Sequence, residues 1–411
     1  MQHDDAIRTF REPPQGAPFS WREEMIVRAL ARALTGDDIS GRLALTLPSG
    51  RMETFGRTGP EAVIALRSFK PLWCGLTRGA LGVAESYLDG DIDTPDLKLA
   101  LRFCLANSAA VSALGGGIMK TRFADRLWHR RRANTRAGSR RNIAAHYDLG
   151  NDFYKLWLDP SMTYSSALFT SAGESLEAAQ ARKNEAILAA LGGVGGQRVL
   201  EIGCGWGGFA QAAAEGGAHV HGITLSREQL AWATQRLANA GLSERSLISF
   251  CDYRDVTGTY DKIASVEMIE AVGEENWPVY FQTLHDRLAP GGVAVLQGIT
   301  IDDRHFTAYR REPDFIQRYI FPGGMLPTVS GMAAQAAIAG LSFDVVTRFG
   351  ASYARTLGLW RNAFEAAWPQ VAAQGFDERF RRMWLYYLTY CEVGFESGDI
   401  DVGLYSLRRS V

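Results

Sequence analysis

One short segment constrains this chain more than any other. Val199-Leu-Glu-Ile202, apolar enough for a buried strand, runs into Gly203-Cys-Gly205-Trp-Gly207-Gly208 and then into an apolar stretch at 209–214. Strand, glycine-rich turn and helix in that order open an alternating α/β sheet, because glycine lets the backbone turn sharply and approach a ligand closely. The chain keeps this alternation from about Arg140 onward. Residues 176–191 are helical by spacing, with Leu176, Ala179, Lys183, Ile187 and Leu191 along them. Residues 219–224 read as a strand, and Ser226 opens a helix with Gln229 three residues on, a capping box. Residues 262–266 and 293–296 are further strands. The last stretch, 360–405, reads as helical and aromatic-rich, with Trp384, Tyr386, Tyr387, Tyr390 and Phe395 mostly in the core. The expected fold is α/β, a doubly wound and mostly parallel sheet with ligands outside the carboxyl ends of its strands.

At 411 residues the chain is long for one core, and about 150 residues per domain predicts two or three. Residues 43–47 read as a strand, Pro48-Ser-Gly50 as a turn and 52–55 as the pairing strand. Residues 80–88 are helical, stopped by Asp89-Gly-Asp91. This gives a small N-terminal α/β domain over 1–119, a linker over 120–141 and a larger domain over 142–411. The linker holds nine Lys/Arg against Asp125, in a chain whose net charge is −1. With Phe123, Leu127, Trp128 and His129 interleaved, it is either a solvated helix or a segment for an anionic membrane surface, where each basic residue contributes about 1 kcal/mol. No helix-turn-helix, zinc finger or RNA-binding signature accompanies it, so nucleic acid is not an expected partner. Cys74, Cys104, Cys204, Cys251 and Cys391 are odd in number and include no C-x-x-C pair, which argues against a disulfide framework or a metal site and for a reducing compartment. The first sixteen residues lack the apolar core of a secretory signal, and the run 99–119 is interrupted by Arg102, Asn107 and three glycines. The expected location is cytoplasmic, peripheral on the inner face of the membrane.

Gly203, Gly205 and Gly208 also satisfy G-x-G-x-x-G, so a dinucleotide site has to be weighed. Such a site wants an acid about 20 residues further on for the ribose, yet that stretch reads His221-Gly-Ile-Thr-Leu-Ser226. Glu201, two residues before the first glycine, instead fits an S-adenosylmethionine loop, where an acid balances a cationic ligand. Glu201 could equally satisfy backbone groups of its own loop.

Several motifs in one order then resemble the cyclopropane-fatty-acyl-phospholipid synthases and the similar mycolic acid cyclopropane synthases. They are His146-Tyr-Asp-Leu-Gly-Asn-Asp152, Leu158-Asp-Pro-Ser-Met-Thr-Tyr-Ser165, the loop at 199–208, Gly222-Ile-Thr-Leu-Ser226, Asp252-Tyr-Arg-Asp255 and Tyr319-Ile-Phe-Pro322. The resemblance implies a Rossmann-like class I methyltransferase domain, with aromatic-rich helical insertions over a lipid pocket. It implies methyl transfer from S-adenosylmethionine to the cis double bond of unsaturated phospholipid acyl chains. The cofactor residues it implies are Tyr164, Ser165, Glu201, Gly203, Gly205, Thr224, Leu225, Gln229, Asp252 and Tyr253, with His146 on a segment folded over the methyl donor.

An alkene is a weak nucleophile, and methylation leaves a carbocation from which a base must take a proton. In the resembled family that base is a bound bicarbonate, caged by a Cys, a Glu, a His, an Ile backbone N–H and a Tyr. The positions here are Ser166 for the Cys, Glu270, Gln297 for the His, Ile299 and Tyr353. Serine and glutamine are neutral and can hydrogen-bond an anion, but glutamine does not titrate as histidine does, which puts bicarbonate in question. Glu267 precedes Glu270 by three residues, so only one of the pair needs to point inward, the other being a surface acid. The altered cage leans toward a methyl- or methylene-branched product over a cyclopropane. A methyltransferase of a soluble metabolite and a silent lipid-binding protein are the alternatives. A homodimer, or a redox partner enzyme acting on the product, is left open.

Overall fold

The computed structural model describes residues 21–34, 39–56, 58–114, 149–311 and 314–411. His146 and the basic linker 120–141 lie outside the described residues. The chain divides into two compact units, Met1–Arg126 with Phe376–Val393, and Leu127–Gly375 with Gly394–Val411.

The first unit carries a four-stranded sheet in the order β2-β1-β3-β4, formed by β1 (Arg42–Thr46), β2 (Met52–Gly56), β3 (Glu61–Leu66) and β4 (Ile92–Asp93). The expected pairing across Pro48-Ser-Gly50 is present, with Thr46 opposite Met52 and Arg42 opposite Gly56. The helix stopped by Asp89 begins earlier than expected, at Lys70, and is kinked at Gly79, whose φ of 60° breaks the helical path. The sequence places 376–393 in the larger domain, but this helical stretch belongs to the smaller unit. Arg382 donates to the carbonyls of Tyr87 and Ile92, Lys98 pairs with Glu392, and the Tyr386 ring packs on Tyr87 at 5.8 Å.

The second unit holds a seven-stranded sheet ordered β10-β11-β9-β8-β5-β6-β7. Its strands are β5 (Arg198–Ile202), β6 (His219–Thr224), β7 (Ser246–Phe250), β8 (Tyr260–Val266), β9 (Leu288–Ile301), β10 (Leu341–Arg348) and β11 (Ile400–Arg409). Five of them, from β9 to β7, run parallel, as the alternation predicted. The correction lies at the end of the chain: residues 400–405, expected to be helical, form part of β11, inserted antiparallel between β9 and β10. Gly398, with φ 77°, ends the preceding helix Glu378–Ser397, the usual use of a left-handed glycine. Ile400 to Leu407 then pair with β9. The core beside the sheet includes Leu200, Ile263, Leu284 and Leu296, all 1% exposed or less, each worth about 1.5–3 kcal/mol of burial.

Candidate active site

The parallel strands place their carboxyl ends, and so the residues that follow them, along one edge. After β5, the turn carries Gly203, Gly205 and Gly207, all with positive φ. The Gly203 and Cys204 N–H groups donate to the carbonyl of Ile223 on β6. A Cβ on Gly203 would meet Met268 Cγ at 2.8 Å, and one on Gly207 would meet Ala233 Cβ at 3.0 Å, whereas above Gly205 nothing lies within 4 Å. Two glycines therefore serve close packing, and the middle one faces open space.

Glu201, on β5, is buried, with one carboxylate oxygen accepting the Ala210 N–H at the start of helix Gly208–Glu215 and Oε2 without a partner. Burial pushes its carboxyl up to about 8, opposed by the Lys183 ammonium. After β6, the Thr224 hydroxyl donates to Gln229 Oε1 and accepts from the Ser226 N–H, while Ser226 Oγ caps Gln229 N–H. Thr224 thus satisfies the donor that a full capping box would leave to Gln229. Leu225 directly follows the strand and is half-buried. After β7, Asp252 is buried against Arg254 with N···O at 2.7 Å, and the Tyr253 ring stands edge-on to Tyr280 at 5.4 Å in the core. These two fix the loop after β7.

The segment before the sheet comes in over the same edge. The Tyr164 ring sits among Tyr154, Trp157 and Trp360 at 5.3–5.5 Å. The Ser165 hydroxyl accepts from Lys183 Nζ at 2.9 Å. Lys183 is 2% exposed and lies in the field of Glu267, Glu201 and Asp159, and burial pulls its ammonium down to about 8. Sequence reasoning gave Lys183 no role beyond its helix. The signal was there: a lysine on a stripe with Ala179 and Ile187, both fully buried.

After β8 come the two acids. Both turn inward, and Glu267 is not a surface acid. Its Oε1 accepts the Ser166 N–H at 2.8 Å and Gln297 Nε2 at 2.8 Å, and its Oε2 accepts the Tyr353 hydroxyl at 2.6 Å. Ser166 acts through its backbone, since its hydroxyl donates to the Ala167 carbonyl. Glu270 Oε1 accepts the Ile299 N–H, and its Oε2 is buried without a partner. Burial raises both carboxyls. Glu267 is drawn back by its three donors and Lys183, whereas Glu270 is pushed further by the charge of Glu267, to about 8. With three donors on Glu267 against two backbone N–H groups on Glu270, those of Ile299 and of Glu270 itself, ionisation is easier at Glu267 and the proton is held more firmly by Glu270.

Of the donors expected around a bicarbonate, Gln297, Tyr353 and the Ile299 N–H are engaged by the chain's own carboxylates, and the Ser166 hydroxyl by the Ala167 carbonyl. An additional oxyanion among Ser166, Gln297 and Tyr353 would meet the Glu267 carboxylate. The residues present do not fit that ion. Among the described residues no group of three or more His, Cys, Asp or Glu side chains is arranged to hold a metal.

Comparison with known proteins agrees with this architecture. The chain is 41% identical over 348 residues to a tuberculostearic acid methyltransferase of Mycobacterium tuberculosis, covering 80% of this chain and 79% of that one. It is 37% identical over 345 residues to a cyclopropane-fatty-acyl-phospholipid synthase of Escherichia coli, covering 82% and 85%. Among solved structures, the mycolic acid cyclopropane synthase CmaA1, complexed with SAH and CTAB, superposes with a TM-score of 0.61 at 32% identity, over 66% of this chain and 98% of that one. A coclaurine N-methyltransferase at 17% identity shares the fold alone, with a TM-score of 0.59. The family profile described as mycolic acid cyclopropane synthetase matches residues 134–404. That span holds the glycine loop, Lys183 and both inward-facing glutamates, and it makes this chain a member of the mycolic acid cyclopropane synthetase family.

Proposed function

We propose that this enzyme transfers the methyl group of S-adenosylmethionine to a cis double bond in the acyl chain of a membrane phospholipid, giving a methylene- or methyl-branched chain. The observation that carries the reading is the adjacency of two features at one sheet edge, a glycine loop open above Gly205 and a turn holding a glutamate on which three donors converge. The loop and the Tyr164–Ser165 segment bind the cofactor, and Glu201, whose Oε2 has no protein partner, faces its positive charge. The aromatic cluster of Tyr164, Trp157 and Trp360 keeps water from the reacting carbons and offers ring faces to a cation. Both named lipid-modifying relatives support an acyl-chain substrate.

In the reaction, the alkene π electrons form the new carbon–carbon bond, the sulfonium–methyl bond breaks onto sulfur, and a carbocation remains on the chain. A hydride shift followed by loss of a methyl proton gives the methylene branch. Direct loss of that proton with ring closure gives a cyclopropane. The non-titrating Gln297 and the carboxylate-filled cage favour the branch. Saturating it requires a reductant from a partner enzyme.

Methyl-labelled cofactor incubated with vesicles of unsaturated phospholipid tests the reading, with the fatty acids then released and analysed. Label is expected in branched acyl chains. Label confined to cyclopropane overturns the product, and label absent from lipid overturns the function.

No described helix is long and apolar enough to cross a membrane, and the basic linker supplies the means of reaching a lipid. Replacing Arg130, Arg131 and Arg132 together by Ser is expected to weaken sedimentation with anionic vesicles, most at low salt where screening is least. Unchanged sedimentation would leave the segment a linker only.

A further inference from the structure

We infer that the Glu267 carboxylate is the general base of this reaction, a built-in anion that stands where a diffusible one would otherwise have to bind. The inference rests on the methyl-transfer reading above and names the group that completes it.

Three independent elements aim donors at this one side chain. The Ser166 N–H comes from the segment before the sheet, Gln297 Nε2 from β9, and the Tyr353 hydroxyl from helix Gly350–Ala366. The backbone points the same way. Glu267 has φ 48°, and Met162 is the only other non-glycine residue with positive φ among those described. A side chain in that region costs about 1–2 kcal/mol, and such an outlier persists where the surroundings hold it for a purpose. Leaving β8 in this conformation turns Glu267 inward; its N–H meanwhile donates to the Gln297 carbonyl.

Position does the rest. Glu267 is the first residue past β8, whose Ser265 pairs with Ile202, the residue before Gly203. Its neighbour Met268 packs against Gly203 itself. Lys183 feels both Glu267 and Glu201 while bonding to Ser165, so the base and the cofactor loop share one buried cation. The groups facing Glu267 are Ser166, Lys183, Glu270, Gln297 and Tyr353. Four of them favour the carboxylate form, and the fifth, Glu270, is itself pushed up by the Glu267 charge.

The step balances without another reagent. Glu267 takes a proton from the methylated carbocation, the C–H electrons form the new π bond or ring bond, and the carboxylic acid returns its proton to solvent. The carboxylate is thus regenerated each turnover.

The test uses the full-length enzyme with labelled cofactor and unsaturated phospholipid vesicles, in buffer freed of carbon dioxide and in buffer with added bicarbonate. Wild type is expected to turn over equally in both. Glu267→Gln keeps volume but removes the base, and should lower kcat by about 10²–10⁴ with cofactor affinity retained. Glu267→Gly is the sharper variant. Glycine accepts the positive φ without strain, and the three donors are left around a vacated anion site. Its turnover should collapse without bicarbonate and recover at least in part when bicarbonate is added.

A wild type that needs bicarbonate, or a Glu267→Gly enzyme that works equally without it, would overturn the assignment while leaving methyl transfer standing. If Glu267→Gly binds cofactor but bicarbonate restores nothing, the cage is not the proton-accepting site and the assignment fails. No lipid labelling by wild type in either buffer would sink the reading of function and the base together.

Discussion

The glycine loop and the glutamate cluster follow adjacent strands of one sheet, yet they are made in opposite ways. The loop is continuous in sequence and works through what it lacks: Gly203 and Gly207 are bare because Met268 and Ala233 crowd them, and Gly205 is bare before open space. The cluster works through what it brings together. Ser166, Lys183, Glu267, Gln297 and Tyr353 come from five separate stretches, and each alone is an ordinary residue. A backbone site tolerates no added atoms, whereas a side-chain site tolerates exchange of any member that keeps a donor. Family-wide chemistry can therefore sit on the loop while this chain's own departures collect in the cluster.

The largest effect should come from breaking the loop. Asp enters left-handed backbone more readily than most residues, so Gly205→Asp, at φ 52° with open space above it, should fold. Its carboxylate then occupies room the cofactor needs. Calorimetric titration is expected to show cofactor binding lost altogether, and wild-type affinity would mean that the space above Gly205 is not where the ligand lies.

The cluster breaks differently, through charge. Lys183→Met removes a fully buried cation from among Glu201, Glu267 and Asp159, with the half-buried Arg236 left to face Glu201 and Asp159. Leaving the Glu267 carboxylate without its buried cation should cost about 3 kcal/mol of stability, read as a lower denaturant midpoint at an unchanged slope. A shift under about 0.5 kcal/mol, the scatter of an ordinary surface substitution, would mean that Lys183 compensates nothing.

A smaller effect, on pH dependence, separates the two acids. The Glu270 carboxyl is raised from 4.5 to about 8, so between those values the folded protein holds a proton that the unfolded chain has released. Its stabilising contribution is complete below about 4.5 and is lost as pH rises through about 8. Glu270→Gln should flatten that part of the stability profile and lower turnover less than Glu267→Gln does. An equal loss of turnover in the two variants would return the base to Glu270.

How much of this could be read beforehand follows the same division. The strand–turn–helix at 199–214 was legible because local chemistry dictates it, and so was the hairpin at 43–55. Residues 400–405 were not, since the β-pattern of Ile400, Val402 and Leu404 follows an aromatic helix with only Gly398 and Asp399 between them. Ser166, Gln297, Ile299 and Tyr353 were found as positions by resemblance, but what they hold was not. No spacing in the sequence says that a positive φ turns Glu267 toward three donors. Only Lys183 left a trace, as a charge on an apolar stripe.

Tyr353→Phe tests the cluster at its gentlest. The hydroxyl is one of three donors to Glu267 and holds its carboxyl down, while the ring packs on Phe395 at 4.5 Å and should stay in place. Losing a hydrogen bond to a charged acceptor removes about 1.5–3 kcal/mol from the ionised form, so the Glu267 carboxyl rises further. A base with a raised pKa is protonated over more of the acidic range. The acidic limb of the kcat profile should therefore move to higher pH, with turnover near wild type on the alkaline plateau. If Tyr353 serves only packing, Phe leaves the profile where it was. If it is itself the base, turnover falls at every pH and no alkaline plateau recovers it. Only a displaced limb with an intact plateau matches a hydroxyl whose work is to keep Glu267 ionised.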